Sequence, residues 1–225
     1  MISIAMLSVA VLKPLTIAFG GLASIKILKK WLIRRKNNKK LNLNGEWSLE
    51  LLMALEWLRY EEICKEFLNI KEASRFKVDV TNAGADGGID LKIKDKKNKL
   101  VGFGQCKAYN SLVGVAPIRE LYGVMASENI KIGYFFTTSA FSNDAIKFAK
   151  DKITLITGNE QIKTIKSFTK EQQNHLYQIA TKGDFTTPTC PNCNKKMIKR
   201  NSERGEFWGC MNYPKCKNTL NVRKN

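Results

Sequence analysis

Histidine occurs once in 225 residues, at His175, inside a polar helical stretch with no partner nearby. Chemistry that turns on a histidine base is therefore not expected here. Acid is scarce too: 20 Asp and Glu face 38 Lys and Arg, for a net charge of +18. The scarcity is local. Lys26 to Lys40 carries eight basic residues and no acid. Cys190 to Asn225 carries nine basic residues against only Glu203 and Glu206. The stretch 41–189 is left close to neutral. Basic attachments on a neutral body suit a polyanion, either nucleic acid or an anionic membrane face, with plain solubility as the bland reading. No internal repeat is visible. The hydrophobic share of 44% is ordinary and sufficient for a packed core.

Residues 2–28 are mostly apolar and long enough for one membrane-spanning helix of roughly 20 residues. Lys13 would cost about 2.5–3.5 kcal/mol at mid-bilayer, and Pro14 would kink such a helix. No basic segment precedes the apolar run, so a secretory signal fits poorly. The basic cluster that follows (Lys29, Lys30, Arg34, Arg35, Lys36) predicts a single-pass inner-membrane protein with its main domain in the cytoplasm. The competing reading is a partly buried N-terminal helix.

Downstream, the pattern is helical from Glu46 to about Ile70, with Leu51, Leu52, Leu55, Leu58 and Ile63 on one stripe. Strands are expected at Phe76 to Thr81, Ile89 to Ile93, Leu100 to Lys107, Ile130 to Thr138 and Ile153 to Thr157. Helices are expected from Pro117 to Ser127, after a Ser142 cap through Lys150, and from Glu160 to Lys182. That order predicts an α/β fold with a mixed sheet flanked by helices.

The most informative stretch is DGGIDLKIKDKKNKLVGFGQCK, residues 86–107. Side chains two apart on a strand share a face, so Gln105 and Lys107 project together while Cys106 points inward. The hairpin brings Asp90 beside Gln105, and Asp86 sits just upstream on a glycine-rich turn. A carboxylate for a hard divalent cation and an ammonium beside it make a hydrolytic site for phosphodiesters. One Asp and a neutral Gln are a thin ligand set, and Glu61 on the first long helix is the candidate third oxygen donor, with Glu62 as fallback. Read by spacing alone, the same residues also fit a solvated hairpin with a salt bridge.

GADGGIDL followed by QCK resembles the Mrr-type branch of the PD-(D/E)XK nuclease superfamily, the type IV restriction endonuclease-like proteins. The similarity continues through VGVAPIRELYGVMAS, FFTTSAFSNDAIKFA and ITLITG, and upstream Trp57 to Glu61 looks like the family's WxxFE helix start. The resemblance covers roughly residues 50–160. It implies a restriction-endonuclease-like fold and Mg²⁺-dependent cleavage of DNA. It also puts the catalytic acid at Asp90, the E/Q position at Gln105, the lysine at Lys107 and the helix glutamate at Glu61. Asp90 and Gln105 would then hold Mg²⁺. A homodimer is expected from the way many such nucleases cut both strands.

A second motif is independent. Cys190-Pro-Asn-Cys193, then Cys210 and Cys216, make two short-spaced thiol pairs, the pattern tetrahedral Zn²⁺ needs. CPNC…FWGCMNYPKC resembles the C-terminal zinc ribbon of bacterial type I topoisomerases, which implies DNA contact. Phe207, Trp208 and Tyr213 alternate with Lys195, Lys196, Lys199, Arg200 and Lys215; such aromatics stack bases or simply cover a zinc site. Cys64 and Cys106 read as small core residues.

The resulting expectation is a transmembrane anchor (1–30), a basic linker (31–45), an Mrr-like endonuclease domain (46–165), a helical linker (166–187) and a C4 zinc ribbon (188–222). The function expected is a Mg²⁺-dependent DNA endonuclease of restriction or defence. The competing readings are a catalytically weak membrane-associated DNA-binding protein and a repair or junction-resolving nuclease.

Overall fold

The computed structural model describes residues 45–81 and 88–222. Five strands form one mixed sheet in sequential order: β1 (Phe76–Val80), β2 (Leu91–Asp95), β3 (Leu100–Lys107), β4 (Ile132–Thr137) and β5 (Thr154–Ile156). The first three are antiparallel neighbours; β3, β4 and β5 run parallel. Side chains alternate between two cores. Phe103 and Phe135 join Ile118, Leu121 and Met125 of α3 (Val115–Ser127) and Ala145 and Ala149 of α4 (Asn143–Ala149). On the other face Phe136 meets Phe67 of α2 (Trp57–Lys71) edge to face, ring centroids 5.9 Å apart.

The long helix expected from Glu46 is two helices, α1 (Leu49–Ala54) and α2, separated where Leu55 turns extended and Glu56 becomes the N-cap of α2. The helix expected from Glu160 is likewise two: α5 (Gly158–Ser167) and α6 (Lys170–Thr181). Thr169 and Gln172 form a reciprocal capping box that starts α6 afresh. The free edge of β1 is partly closed by Asn69 of α2, whose amide both accepts from the N–H of Val78 (2.8 Å) and donates to its carbonyl (3.2 Å). Helix α6 packs against the start of α2 and against Trp47. Trp47 donates its indole N–H to the carbonyl of Gln173 and stacks edge-on against Tyr177. Exposed His175 lies on the outer side of the same helix.

A second, three-stranded antiparallel sheet follows: β6 (Met197–Ser202), β7 (Gly205–Cys210) and β8 (Thr219–Asn221). The expectation of a transmembrane helix, and with it a single-pass inner-membrane location, is corrected: no helix among the described residues is long and apolar enough to cross a membrane. The segment on which that expectation fell, residues 1–30, lies outside the described residues, as does Asp86.

Candidate active site and metal centre

The hairpin from β2 to β3 does the first work. Asp95 ends β2 and its carboxylate accepts from the N–H groups of Lys97 and Lys99 (2.9 Å each), which fixes the basic turn. The register places Leu91 opposite Gly104. Asp90, one residue before that pair, donates its N–H to the carbonyl of Gly104 at 2.9 Å. Its carboxylate accepts from the N–H of Cys106 at 2.6 Å. Asp90 is thus locked against the Gln105–Lys107 segment by its own side chain.

Gln105 is 5% exposed, and its Oε1 has no hydrogen-bond partner among the described residues. A buried amide oxygen left without a donor costs about 1–3 kcal/mol, so this atom suits a group that brings positive charge to it. Its Nε2 lies against Gly88. A Cβ there would come within 2.9 Å, and Gly88 has φ +82°, so glycine is required at this turn twice over.

Glu61 comes to the site from α2, which packs on the sheet face that also carries Cys106. Burial pushes its carboxyl from 4.5 up to about 8; the charges of Asp90 and Glu56 add to the rise and Lys107 opposes it. Burial also raises Asp90, against the N–H of Cys106 and the charge of Lys107. Glu61, Asp90 and Lys107 therefore lie within electrostatic reach of one another, and Asp90 is tied to the strand segment that carries the orphaned Gln105 oxygen. The donor set fits a divalent cation, because oxygen ligands dominate and a cation would relieve the penalty on both acids. The carboxylate of Glu62, the fallback acid, pairs with Arg59 at 3.5 Å.

Nearby polar groups have structural partners. Thr138 donates its hydroxyl to the carbonyl of Tyr109 (2.7 Å), and Ser139 to that of Ser111 (2.6 Å), so they hold the loop after β3. Ser142 caps α4. The guanidinium of Arg119 lies 5.5 Å from the ring centroid of Phe148.

In the second sheet, the Sγ atoms of Cys190, Cys193, Cys210 and Cys216 all lie within 4.8 Å of one another. The pairs Cys193–Cys210 (3.4 Å) and Cys190–Cys216 (3.7 Å) approach the edge of about 3.8 Å that four sulfurs bonded at about 2.3 Å would have. All four thiols are free. The geometry fits zinc. Trp208 and Leu220 pack over this cluster. Phe207 lies opposite Arg200 on the other face, where the Arg200 guanidinium sits 5.6 Å from the ring of Tyr213, which is 60% exposed. Lys195 is exposed, and Lys199 pairs with Glu206 at 2.9 Å. Lys196 is drawn inward to Glu56 at the start of α2 (3.2 Å), a partner 140 residues away that sequence patterning did not suggest.

The Mrr catalytic family model, described as restriction endonuclease, matches residues 52–165, half of the chain. The chain belongs to the Mrr restriction endonuclease family. The model of the topoisomerase DNA binding C4 zinc finger matches residues 187–225. Over 119 residues the chain is 30% identical to the type IV methyl-directed restriction enzyme EcoKMrr of Escherichia coli, covering 51% of this chain and 39% of that one. The C-terminal part is 53% identical over 32 residues to DNA topoisomerase 1 of Helicobacter pylori, 14% of this chain and 4% of that one. The chain therefore spans well under half the length of these relatives. Among solved structures, the MspJI restriction endonuclease in complex with a 27-mer oligonucleotide is 17% identical with a TM-score of 0.39, covering 82% of this chain and 42% of that one. The DNA modification-dependent restriction endonuclease AspBHI is 18% identical, TM-score 0.39, covering 59% and 38%. At that level of superposition these likenesses carry no further weight.

Proposed function

We propose that this Mrr-family chain is a Mg²⁺-dependent DNA endonuclease of the PD-(D/E)XK type, acting in restriction of foreign or modified DNA. The observation that carries the reading is the lock between the Asp90 carboxylate and the N–H of Cys106. It holds an acid against the strand segment that bears Gln105 and Lys107. Asp90, the Gln105 carbonyl oxygen and Glu61 are the residues that would hold the cation. When bound, the cation supplies Lewis-acid polarisation of the scissile phosphate and acidifies water. The remaining work belongs to the chain. Lys107 stabilises the negative charge that builds on the phosphate oxygens and favours hydroxide at the attack position. The buried surroundings of Glu61 and Asp90 strengthen each of these interactions by excluding water. The domain assignment that goes with this reading is an endonuclease domain at 46–165, a helical connection at 166–187 and a zinc ribbon at 188–222 that raises affinity for DNA.

The test is a cleavage assay of the full chain on methylated and unmethylated plasmid, with and without Mg²⁺. Scission only with Mg²⁺, and faster on one methylation state, is expected. Absence of scission on both substrates over a range of Mg²⁺ would leave a DNA-binding protein that uses the nuclease fold as a scaffold.

A further inference from the structure

The N-terminal turns of α2 grip the segment that leads into the zinc ribbon. Glu56 donates its N–H to the carbonyl of Phe185 (2.8 Å). Its carboxylate accepts from the N–H of Thr189 (3.1 Å), the hydroxyl of Thr189 (2.9 Å), the ammonium of Lys196 (3.2 Å) and the N–H of Leu58 in its own helix (3.4 Å). Next to it Trp57 donates its indole N–H to the carbonyl of Thr189 at 2.7 Å. Arg59, one turn on, donates to the carbonyls of Ile179 and Lys182. Thr189 immediately precedes the zinc-cluster Cys190 and forms a β-bridge to Lys196. One carboxylate therefore ties the first thiol loop to the helix that carries Glu61.

Glu56 is 5% exposed. A buried carboxylate is costly unless fully paired, and an apolar contact would hold two modules together as strongly. A buried charge with four donors at fixed directions gives orientation instead. Orientation matters where two modules engage one polymer: a rigid arm presents a single register, whereas a loose tether presents many.

We propose that Glu56 is a positioning residue: with Trp57 it makes the ribbon a fixed arm of the nuclease domain, so that DNA held by the ribbon reaches the site in one register. The effect on cleavage rests on the endonuclease reading; the rigidity does not.

The test uses the full zinc-loaded chain as wild type, Glu56→Ala and Trp57→Phe, each checked for bound zinc and cooperative melting. Trp57→Phe keeps the test alive should Glu56→Ala fail to fold. Backbone ¹⁵N relaxation is expected to give ribbon amides (197–221) and sheet amides (β1 to β5) one tumbling time in the wild type. In the variants the ribbon should tumble faster. In steady-state cleavage both variants should raise KM for DNA about tenfold, because loosening lowers effective concentration; kcat should stay within about threefold in Trp57→Phe, which keeps the Glu56 charge that bears on Glu61. Independent tumbling of the ribbon in the wild type, or unchanged tumbling in both variants, overturns the clamp. Loosened variants with wild-type KM overturn the positioning role. A wild type that cuts no DNA sinks the endonuclease reading, and the relaxation data still decide the clamp.

Discussion

In magnesium-free, zinc-replete buffer, raising the pH from 5.5 to 8 should destabilise the protein, and Glu61→Gln should abolish most of that loss. Glu61 titrates near 4.5 in the unfolded chain and at about 8 in the folded protein, chiefly because of burial and then the charge of Asp90. Between those two values the unfolded chain has released the proton and the folded protein has kept it. The folded state binds more protons, so stability falls as pH rises. At about 1.4 kcal/mol per pKa unit, the difference across pH 5.5 to 8 integrates to about 3 kcal/mol, and residual solvent access brings it to roughly 2 kcal/mol. For a chain of this size that is about 4–8 °C in Tm. Asp90 is raised as well and adds in the same direction. Thermal melts of wild type and Glu61→Gln at half-unit pH steps measure it. The curves should meet near pH 5 and part by pH 8, with the variant more stable. Added Mg²⁺ should close the gap from the wild-type side, because a cation favours the ionised acids. Wild-type stability that is flat or rising over this range, or a variant that tracks it, would refute the electrostatic account of the site.

Other outcomes follow from the same structure. Lys107→Ala should lower plasmid cleavage by about 100-fold or more while gel-shift affinity for DNA stays within about threefold, since the ammonium serves the transition state. Zinc removal by a chelator, or Cys216→Ser, should unfold the ribbon and lower the melting temperature; an unchanged profile would argue against a structural zinc at the four thiols. Thr169→Ala removes the reciprocal cap that starts α6 and should cost about 1 kcal/mol in chemical denaturation.

The β2–β3 hairpin was legible because strand periodicity is strict: a register of Leu91 opposite Gly104 brings Asp90 to the start of the strand pair, where its carboxylate accepts from the N–H of Cys106. The four thiols were legible for a similar reason, since short spacing leaves few ways to converge. Breaks in the helices were harder. LLMALEWLRYEE carries one continuous apolar stripe, and nothing local ends it at Leu55. The break is stabilised by Thr189 and Lys196, more than 130 residues away. An acid set between Leu55 and Trp57 was the available signal, because a charge amid buried neighbours needs a partner. The start of α6 could have been read directly: Thr169-x-x-Gln172 is a capping-box pattern, hidden by helical periodicity on both sides. The inward turn of Lys196 to Glu56 was not legible, because a lysine in a basic tail shows no local reason to turn inward. Of the two roles open to Trp208, stacking bases or covering a zinc site, the packing over the thiol cluster matches the second.

Anomalous diffraction from crystals of the full chain grown with Mn²⁺ in place of Mg²⁺ tests the central claim most directly. A manganese peak bonded to the Asp90 carboxylate and the Gln105 carbonyl oxygen, with Glu61 ionised beside it and Lys107 facing the same hollow, is the result the account predicts. Manganese bound elsewhere, with Asp90 and Gln105 turned away from each other, would contradict it.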